Sequence, residues 1–345
     1  MRGSWTLREI NDQPAAWAAA LARFEEDAGR VGRLFEKWTP DEAIFTGCGS
    51  SYYLSMTAAS AFQQITGLRA RAVPASEIFQ FPESVFARTA SPLLVAASRS
   101  GTTTETLRAV NAATRRRVPT VCLTCVARSP LARSTDLALC SPAGGERSVV
   151  MTKSFSSMLV LGLLLAARRG DDAELHRELR RLPALGRRVL KIALPLARGI
   201  GTTASRFVFL GAGPAHGIAW EAMLKMTEMA QRTAMAYHPL EFRHGPIAVA
   251  DRRTTAVLFG TDAGADMEAD LVGDLSGHGA TVLLLRDAAS RPAEAEVSVS
   301  LNAGLSDASR SVLYLPFAQA LAYWRAVGAE LDPDRPRHLT SVVRL

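Results

Sequence analysis

The chain has 345 residues, of which 48% are hydrophobic and 21% are charged. This composition excludes a disordered chain, a collagen-like fibre and a small disulfide-bonded protein, and the length favours two packed lobes over one. The formal charge is +7, but the 36 arginines and 4 lysines are scattered in short groups such as Arg115–Arg117 at the end of a predicted helix. We therefore expect a solvated basic surface and no nucleic-acid partner.

The first half alternates apolar runs with helical patterns, which is typical of a parallel sheet covered by helices on both faces. The predicted elements are, in chain order, a helix over 5–37, a strand over 43–47, a helix over 53–66, strands over 70–73 and 92–97, a helix over 103–115, and strands over 120–126 and 136–139. A long helical segment over 155–198 follows, and its apolar portion Met158–Ala167 is expected in the core.

The second half repeats this order, with predicted strands over 206–211, 254–259 and 280–285. A strand running into Gly-x-Gly occurs at Gly47 and again at Gly211, and residues 98–101 have a degenerate counterpart at residues 261–264. Self-similarity of this kind indicates a duplicated α/β domain.

Compartment and metal content are predicted from absences in the sequence. No apolar signal segment follows Met1, and the longest apolar run is too short to span a bilayer, so we expect a cytoplasmic protein without a membrane partner. Cys122 and Cys125 lie in a run typical of a buried strand, and no second cysteine pair follows. We expect them to be core residues, and we expect no metal or cofactor.

A hydroxyl-rich segment follows the third predicted strand, with six Ser or Thr side chains among residues 98–106. Hydroxyls, a glycine and a helix N-terminus together suit an anion at the carboxyl end of a strand. The segment lacks the Gly-Lys-Ser/Thr of a nucleotide loop, so a phosphate monoester is favoured, and an ordinary helix cap is the alternative. The glycine turn at Gly47–Ser51 resembles a dinucleotide fingerprint too loosely to predict NAD binding.

Glu221, Lys225 and Glu228 are spaced to share one face of a helix among Met and Ala residues. A partly buried stripe of this kind shifts pKa values as proton-transfer chemistry requires. The alternative for Glu228 is an intrahelical salt bridge with Lys225. His244 is followed by Gly245-Pro246, which suits a loop that aims an imidazole, and the alternative is a core histidine.

Together these segments resemble the SIS (sugar isomerase) family, especially the isomerase portion of glucosamine-6-phosphate synthase and the stand-alone sugar-phosphate deaminases and isomerases. The resemblance implies two tandem SIS domains, each a three-layer αβα arrangement of the flavodoxin or Rossmann type. It divides the chain into an N-terminal helical segment (1–40), a first SIS domain with the linking helix (41–195), a second SIS domain (196–330) and a tail that closes over the site (331–345).

The resemblance also implies the roles of individual residues. Glu228 would carry a proton between C1 and C2 of a hexose 6-phosphate, and Lys225 would tune it. His244 would open the sugar ring in the neighbouring subunit's site of a homodimer. The residues implied in substrate binding are Gly49, Ser50, Ser51, Ser98, Arg99, Ser100, Thr103, Val149 and Ser341.

The expected activity is deamination of an amino-hexose 6-phosphate to a ketose 6-phosphate and ammonia. An aldose–ketose isomerase without deamination and a non-catalytic phosphosugar-binding regulator are the alternatives. The chain departs from the family in two ways: no glutaminase domain precedes the SIS region, so glutamine-dependent synthesis is not expected, and Ser341 stands where the family's tail carries a lysine. Serine provides neither a cation nor a Schiff base, which favours chemistry without that amine.

Overall fold

The computed structural model describes residues 2–201, 203–287 and 295–342. Its residues form two compact units. The first unit consists of Asp12–Arg147, Met151–Pro183 and the described residues of Thr340–Leu345, and the second consists of the described residues of Met1–Asn11, Ser148–Val150 and Ala184–Leu339. Each unit contains one five-stranded parallel sheet flanked by helices, which confirms the α/β class predicted from the sequence.

The helices and strands follow in chain order. Up to residue 199 they are α1 (Ser4–Asn11), α2 (Gln13–Lys37), β1 (Glu42–Gly47), α3 (Ser50–Thr66), β2 (Arg69–Pro74), α4 (Ala75–Gln80), α5 (Pro82–Val85), β3 (Pro92–Ser98), α6 (Thr104–Arg115), β4 (Thr120–Thr124), α7 (Pro130–Ser134), β5 (Leu137–Cys140), α8 (Lys153–Gly170) and α9 (Ala173–Gly199). After it they are β6 (Arg206–Gly211), α10 (Pro214–Ala230), β7 (Thr233–Tyr237), α11 (Pro239–Phe242), β8 (Thr254–Phe259), α12 (Ala265–Gly277), β9 (Thr281–Arg286), β10 (Val297–Ser300) and α13 (Asp307–Gly328).

Two long helices expected from the sequence are each broken into two. The helix predicted over 5–37 is interrupted at Asp12, after which Pro14 occupies the first turn of α2, where a proline is tolerated. The segment predicted over 155–198 is interrupted at Asp171, which has a φ of 51°, and Asp172, whose carboxylate accepts bonds from the first N–H groups of α9. Local breaks of this kind leave the hydrophobic period almost unchanged, so the period alone did not show them.

All eight predicted strands are present, but β7 and β10 were not predicted. These two lie at the edges of the second sheet, and their side chains are mostly half-buried or exposed. Such strands lack the continuous apolar run of β1, β3 and β4, whose residues are all buried. Partial exposure therefore weakened the signal in these two strands, although the edge strands β2 and β5 of the first sheet were predicted.

The strand order of the first sheet reverses beside β1. That order is β2-β1-β3-β4-β5, and β1 pairs in parallel with both β2 and β3. The helix that follows β1 packs with α8, whereas the helix that follows β3 packs with α4. Ligands of doubly wound sheets bind at the carboxyl ends of strands where the order reverses. The second sheet has the corresponding order β10-β9-β8-β6-β7.

The apolar part of α8 lies in the core, as predicted: every side chain from Ser154 to Ala167 is buried. Within the ranges that the structure describes, no helix combines the length and apolarity that a membrane crossing requires.

Candidate functional site

The turn after β1 requires glycine at two positions. A Cβ on Gly47 would lie 2.6 Å from the backbone of Ser51, and Gly49 has a φ of 55°. Helix α3 follows, with Ser50 and Ser51 in its first turn. Its N-cap residue is Gly49, which has no side chain to cap the helix. The predicted residues Gly49, Ser50 and Ser51 thus lie at the start of α3, beside the point where the strand order reverses.

The hydroxyl-rich loop after β3 is held in shape by its own side chains. The Oγ of Ser98 accepts the N–H of Gly101 at 3.1 Å and lies 3.1 Å from the Oγ1 of Thr103. The Oγ of Ser100 accepts both the N–H and the hydroxyl of Thr102. Gly101 has a φ of 63°, and a Cβ there would lie 2.1 Å from the Oγ of Ser129.

This loop is not an ordinary helix cap. Thr103 is the N-cap residue of α6, yet its side chain makes no capping hydrogen bond. The first N–H groups of a helix carry a partial positive charge and need acceptors. Since β1 and β3 are paired neighbours, the starts of α3 and α6 leave the sheet side by side, and together they can hold an anion.

Arg99 and Ser341 meet in the structure, although 242 positions separate them in the chain. The Arg99 guanidinium donates to the Ser341 carbonyl at 3.0 Å and to a carboxylate oxygen of Glu146 at 3.1 Å. Arg99 therefore ties the hydroxyl-rich loop to the tail and to the segment before α8.

Glu146 begins the segment 146–153, which resembles the family's loop before the linking helix, but it was not among the predicted site residues. Its side chain is fully buried, and besides Arg99 it accepts the N–H of Thr152 at 2.6 Å and the N–H of Ser154 at 3.0 Å, together with both hydroxyls. The carboxylate thus caps the start of α8 from outside the helix. An acidic residue shortly before a Thr-Lys-Ser helix start was the signal available.

The Val149 segment is held within the second unit. The N–H of Val149 donates to the carbonyl of Asp334 at 3.0 Å, and Ser148 bonds through its N–H and hydroxyl to the buried carboxylate of Glu9 on α1. The carboxylate of Asp334 in turn accepts the N–H and hydroxyl of Thr6 at 2.7 Å each. Helix α1 therefore fixes the backbone around Val149 from two directions.

The charged stripe on α10 is confirmed as one buried group. Lys225 is 1% exposed, its Nζ lies 3.1 Å from the Oε1 of Glu221, and it donates to the Oε1 of Glu228. The Glu221 side chain is fully buried, whereas the Glu228 side chain is 14% exposed. Glu228 is therefore the member that a ligand can reach. The salt bridge between Lys225 and Glu228, which was the alternative to a catalytic role, is present. Lys225 also pairs with a second carboxylate, that of Glu221.

The balance of charge explains the protonation of Lys225. Burial by itself would lower the pKa of its ammonium, but Glu221 and Glu228 attract the charge and accept its hydrogen bonds, so the pKa is raised. The ammonium therefore stays charged between the two neighbouring carboxylates.

His244 lies on an exposed loop and is not a core histidine. Its N–H donates to the carbonyl of Glu241, and Gly245 follows with a φ of 119°. Its imidazole has no hydrogen bond, ion pair or ring contact with any residue that the structure describes, so the described contacts do not join it to Lys225 and Glu228.

Two further histidines lie at the carboxyl edge of the second sheet and were not selected from the sequence. The Nδ1 of His216 lies 3.0 Å from the carbonyl of Gly211, and its Nε2 accepts the indole N–H of Trp220 at 3.1 Å. The rings of His216 and His238 are 6.4 Å apart. Burial lowers the pKa of His216, and the nearby His238 acts in the same direction.

The cysteines and acidic residues provide no metal site among the described residues. Cys122 and Cys125 are buried and carry free thiols, as expected for core positions, and burial raises the pKa of Cys122 to about 11. No group of three or more His, Cys, Asp or Glu side chains converges in the described ranges.

Comparison with known sequences gives matches along most of the chain. The family model of the SIS domain matches residues 38–168. The isomerizing glutamine–fructose-6-phosphate aminotransferases of Pseudomonas aeruginosa and Pyrobaculum aerophilum are 31% and 29% identical over 98% of this chain. The matched chain spans only 58% and 57% of the length of those two relatives.

Comparison with solved structures extends the match to whole chains. The glucosamine-6-phosphate deaminase of Thermotoga maritima is 31% identical, with a TM-score of 0.84 over 99% of this chain and 100% of that chain. The tagatose-6-phosphate ketose/aldose isomerase of Escherichia coli is 24% identical, with a TM-score of 0.88 over 96% of this chain and 95% of that one, and it supports the fold alone.

Proposed function

We propose, from the premise that the chain belongs to the SIS domain family, that this protein deaminates an amino-hexose 6-phosphate. The products are a ketose 6-phosphate and ammonia. The 31% identity with a glucosamine-6-phosphate deaminase that aligns over its full length supports this reaction.

The observation that carries the proposal is the buried group formed by Glu221, Lys225 and Glu228. A base that moves a proton between carbon atoms must be ionised, partly shielded from water and accessible to its substrate. Glu228 is suited to this role, because its carboxylate is paired with the Lys225 ammonium while its own side chain remains partly exposed. Its role as the base is our assignment.

The reaction also requires a binding site for the phosphate, and we assign that role to the hydroxyl-rich loop. We assign the phosphate to Ser51, Ser98, Ser100 and Thr103, at the starts of α3 and α6. Hydroxyl and backbone N–H donors bind a phosphate monoester through charge-assisted bonds without a lysine.

The proposed steps follow from these roles. His244 donates and accepts the protons that open the sugar ring. Glu228 removes the proton from C2 of the open-chain aldose and returns it to C1. A second proton passes from the C2 amine to the C1 oxygen, so the aldehyde becomes an alcohol and the amine becomes an imine. Water adds to that imine and ammonia leaves, which gives the ketose 6-phosphate.

The tail supports a second candidate, an aldose–ketose isomerase that acts on hexose 6-phosphates without nitrogen. Ser341 stands at the position of the family's tail lysine and presents its carbonyl to Arg99. Without an ammonium at this position, the chain lacks one of the groups that would assist amine chemistry.

One experiment separates the two reactions and tests the shared step. The protein is incubated in D₂O with glucosamine, galactosamine and mannosamine 6-phosphates and with the corresponding hexose 6-phosphates. Loss of the C2 hydrogen is followed by NMR, and ammonia is measured with a coupled enzyme. Deamination predicts exchange and stoichiometric ammonia with an amino sugar. Exchange with a nitrogen-free hexose phosphate alone would replace the deaminase with the isomerase.

Glu228→Gln tests the base. We expect turnover and C2 exchange to fall by about 10²–10⁴-fold, with phosphosugar affinity retained. Glu36→Gln, at an exposed glutamate of α2, is the matched control and should keep full activity. Full exchange in Glu228→Gln would remove this base from the mechanism. Binding without exchange by the unaltered protein on every sugar would favour a regulator.

The homodimer is also part of the proposal, because His244 is exposed and the family resemblance places it in the neighbouring subunit's site. Mixing inactive Glu228→Gln and His244→Asn chains after unfolding and refolding should restore about a quarter of the activity, since one site in four receives both native residues. No recovery would contradict action between subunits.

A further inference from the structure

A concave, basic cavity of about 320 Å³ lies in the first unit, at the amino ends of β3 and β4. It is lined by Lys37, Trp38, Thr39, Pro40, Ala90, Ser91, Pro92, Arg116, Arg117, Val118 and Pro119. The proposed phosphate loop lies at the other end of β3. Seven residues of strand separate the two edges by roughly 20 Å, so a ligand here cannot contact that loop.

The lining contains three cations and no carboxylate. Arg116 is already engaged, because its guanidinium lies 2.8 Å from Glu83 and packs on the ring of Phe86. Neither Lys37 nor Arg117 forms an ion pair with any residue in the described ranges. The structure thus concentrates cations that appear scattered in the sequence.

The helix C-termini at the cavity do not neutralise its positive charge. Helices α2 and α6 both end at the cavity, and a helix C-terminus carries roughly half a negative charge. Two such ends offset about one of the three cations. Glu83 offsets another, and the Asp41 carboxylate lies just outside the lining, where it accepts the N–H of Ser91 at 2.8 Å. Lys37 and Arg117 remain as the two cations that can bind an anion.

The backbone at Arg117 has the left-handed conformation, as it does at five other described residues that are not glycine. Arg117 has a φ of 59° directly after α6, a position where glycine is favoured because a side chain strains the left-handed conformation. The chain therefore keeps a guanidinium at a position where its backbone is unfavourable.

Trp38 adds an aromatic surface to these cations. It is half-buried, and Lys37 lies over its ring at 5.2 Å. A second cavity of about 260 Å³ shares Lys37 and Trp38 and adds Arg30 and Arg33. Its one acidic lining residue, Asp136, already accepts two bonds from Thr120.

We propose that the cavity around Trp38 binds a nucleoside polyphosphate, with the base on the indole and the phosphates on Lys37 and Arg117. Aromatic stacking together with unpaired cations is the chemistry that recognises such a ligand. Of the two cavities that share Trp38, one would hold the base of the nucleotide and the other its phosphates.

The test measures binding of ATP, tripolyphosphate and adenosine to the full chain by calorimetry. ATP should bind at least tenfold more tightly than either part alone. Arg117→Gly should weaken ATP binding by about tenfold while its unfolding midpoint stays equal or rises, since glycine relieves the backbone. Trp38→Leu should bring ATP affinity down to that of tripolyphosphate.

Two controls make the result decisive. Arg115→Gln removes a neighbouring arginine that does not line the cavity, so it should change ATP affinity by less than twofold. Ser100→Ala alters the phosphate loop and should leave ATP binding intact. Equal loss in Arg115→Gln and Arg117→Gly, abolition by Ser100→Ala, or equal affinity for tripolyphosphate and ATP would each overturn the proposal.

Discussion

Residues 98–106 and residues 261–269 occupy equivalent places in the two sheets, one after β3 and the other after β8. Both loops contain the same local turn: the N–H of Gly101 donates to the hydroxyl of Ser98, and the N–H of Gly264 donates to the hydroxyl of Thr261, each at 3.1 Å. The duplicated backbone feature is thus retained in both halves.

The two loops differ in what fills them. Seven positions after Thr261, the carboxylate of Glu268 folds back and accepts the Thr261 N–H at 3.0 Å and its hydroxyl at 2.8 Å. The equivalent residue of the first half, Glu105, makes no such bond to Ser98, and its Oε2 is buried without a hydrogen-bond partner in the described ranges. The second loop bonds to a carboxylate of its own chain, whereas the hydroxyls of Ser98 and Ser100 in the first loop bond to uncharged groups of that loop. We therefore expect an external anion at the first loop only.

The turns after β1 and β6 also differ in whether hydroxyl side chains follow them. The first continues into Ser50 and Ser51, and the second continues into Pro214, Ala215 and His216, whose ring bonds to the backbone of its own turn. Duplication therefore produced two frameworks, and we expect only the first to bind phosphate.

The largest expected effect is on stability, and it differs between the glycines of the two loops, Gly101 and Gly264. Gly101→Ala places a Cβ at a φ of 63° against Ser129, so the free energy of unfolding should fall by roughly 2–4 kcal/mol. Gly264→Ala has an ordinary φ of −97°, but its Cβ would lie 2.7 Å from the Glu268 carboxylate and 2.8 Å from the Thr261 hydroxyl, so it should cost about 1–2 kcal/mol. Urea denaturation measures both, and equal losses would contradict the difference.

Removal of the equivalent hydroxyls tests which loop binds the phosphate. Ser98→Ala should raise the KM for the phosphosugar by about tenfold, because one charge-assisted bond is lost, with a smaller change in kcat. Thr261→Ala should leave KM unchanged and lower only stability, because its partner is Glu268. A higher KM in Thr261→Ala would mean that the second loop also contacts substrate.

His216 should make the second turn sensitive to acid. Its pKa in the folded protein is lowered by burial, so below the ordinary value near 6.5 the unfolded chain takes up a proton that the folded chain does not. Stability should therefore fall as the pH drops from 7.5 to 5.5. His216→Gln should reduce that dependence in Tm measurements, and His278→Gln at an exposed histidine is the control.

Glu268 should give the smallest effect, with the opposite sign. Burial raises its pKa despite the bonds from Thr261, so the folded chain keeps a proton that the unfolded chain releases above about 4.5. This contribution to stability is present at low pH and is lost as the pH rises through the raised pKa. Glu268→Gln should flatten the Tm profile between pH 4.5 and 7 relative to Glu105→Gln. An unchanged profile would contradict this assignment.

Much of the fold was predictable because its signals are local. Buried parallel strands such as β3 and β8 appear as continuous apolar runs, and the stripe on α10 follows helical spacing. The edge strand β7 and the break at Asp171 were missed, because partial exposure and a single left-handed residue hardly change a pattern averaged over many positions.

The sequence by itself determined the parallel strands, the duplication, the hydroxyl-rich loop and the face shared by Glu221, Lys225 and Glu228, since each depends on the spacing of near neighbours. Tertiary structure alone decided that Glu146 joins Arg99 to the start of α8, that Glu268 fills the second loop, and that Lys37 meets Arg117 in one cavity. Such contacts depend on how distant segments pack and on which side chain burial forces to find a partner, and no period in the chain encodes them.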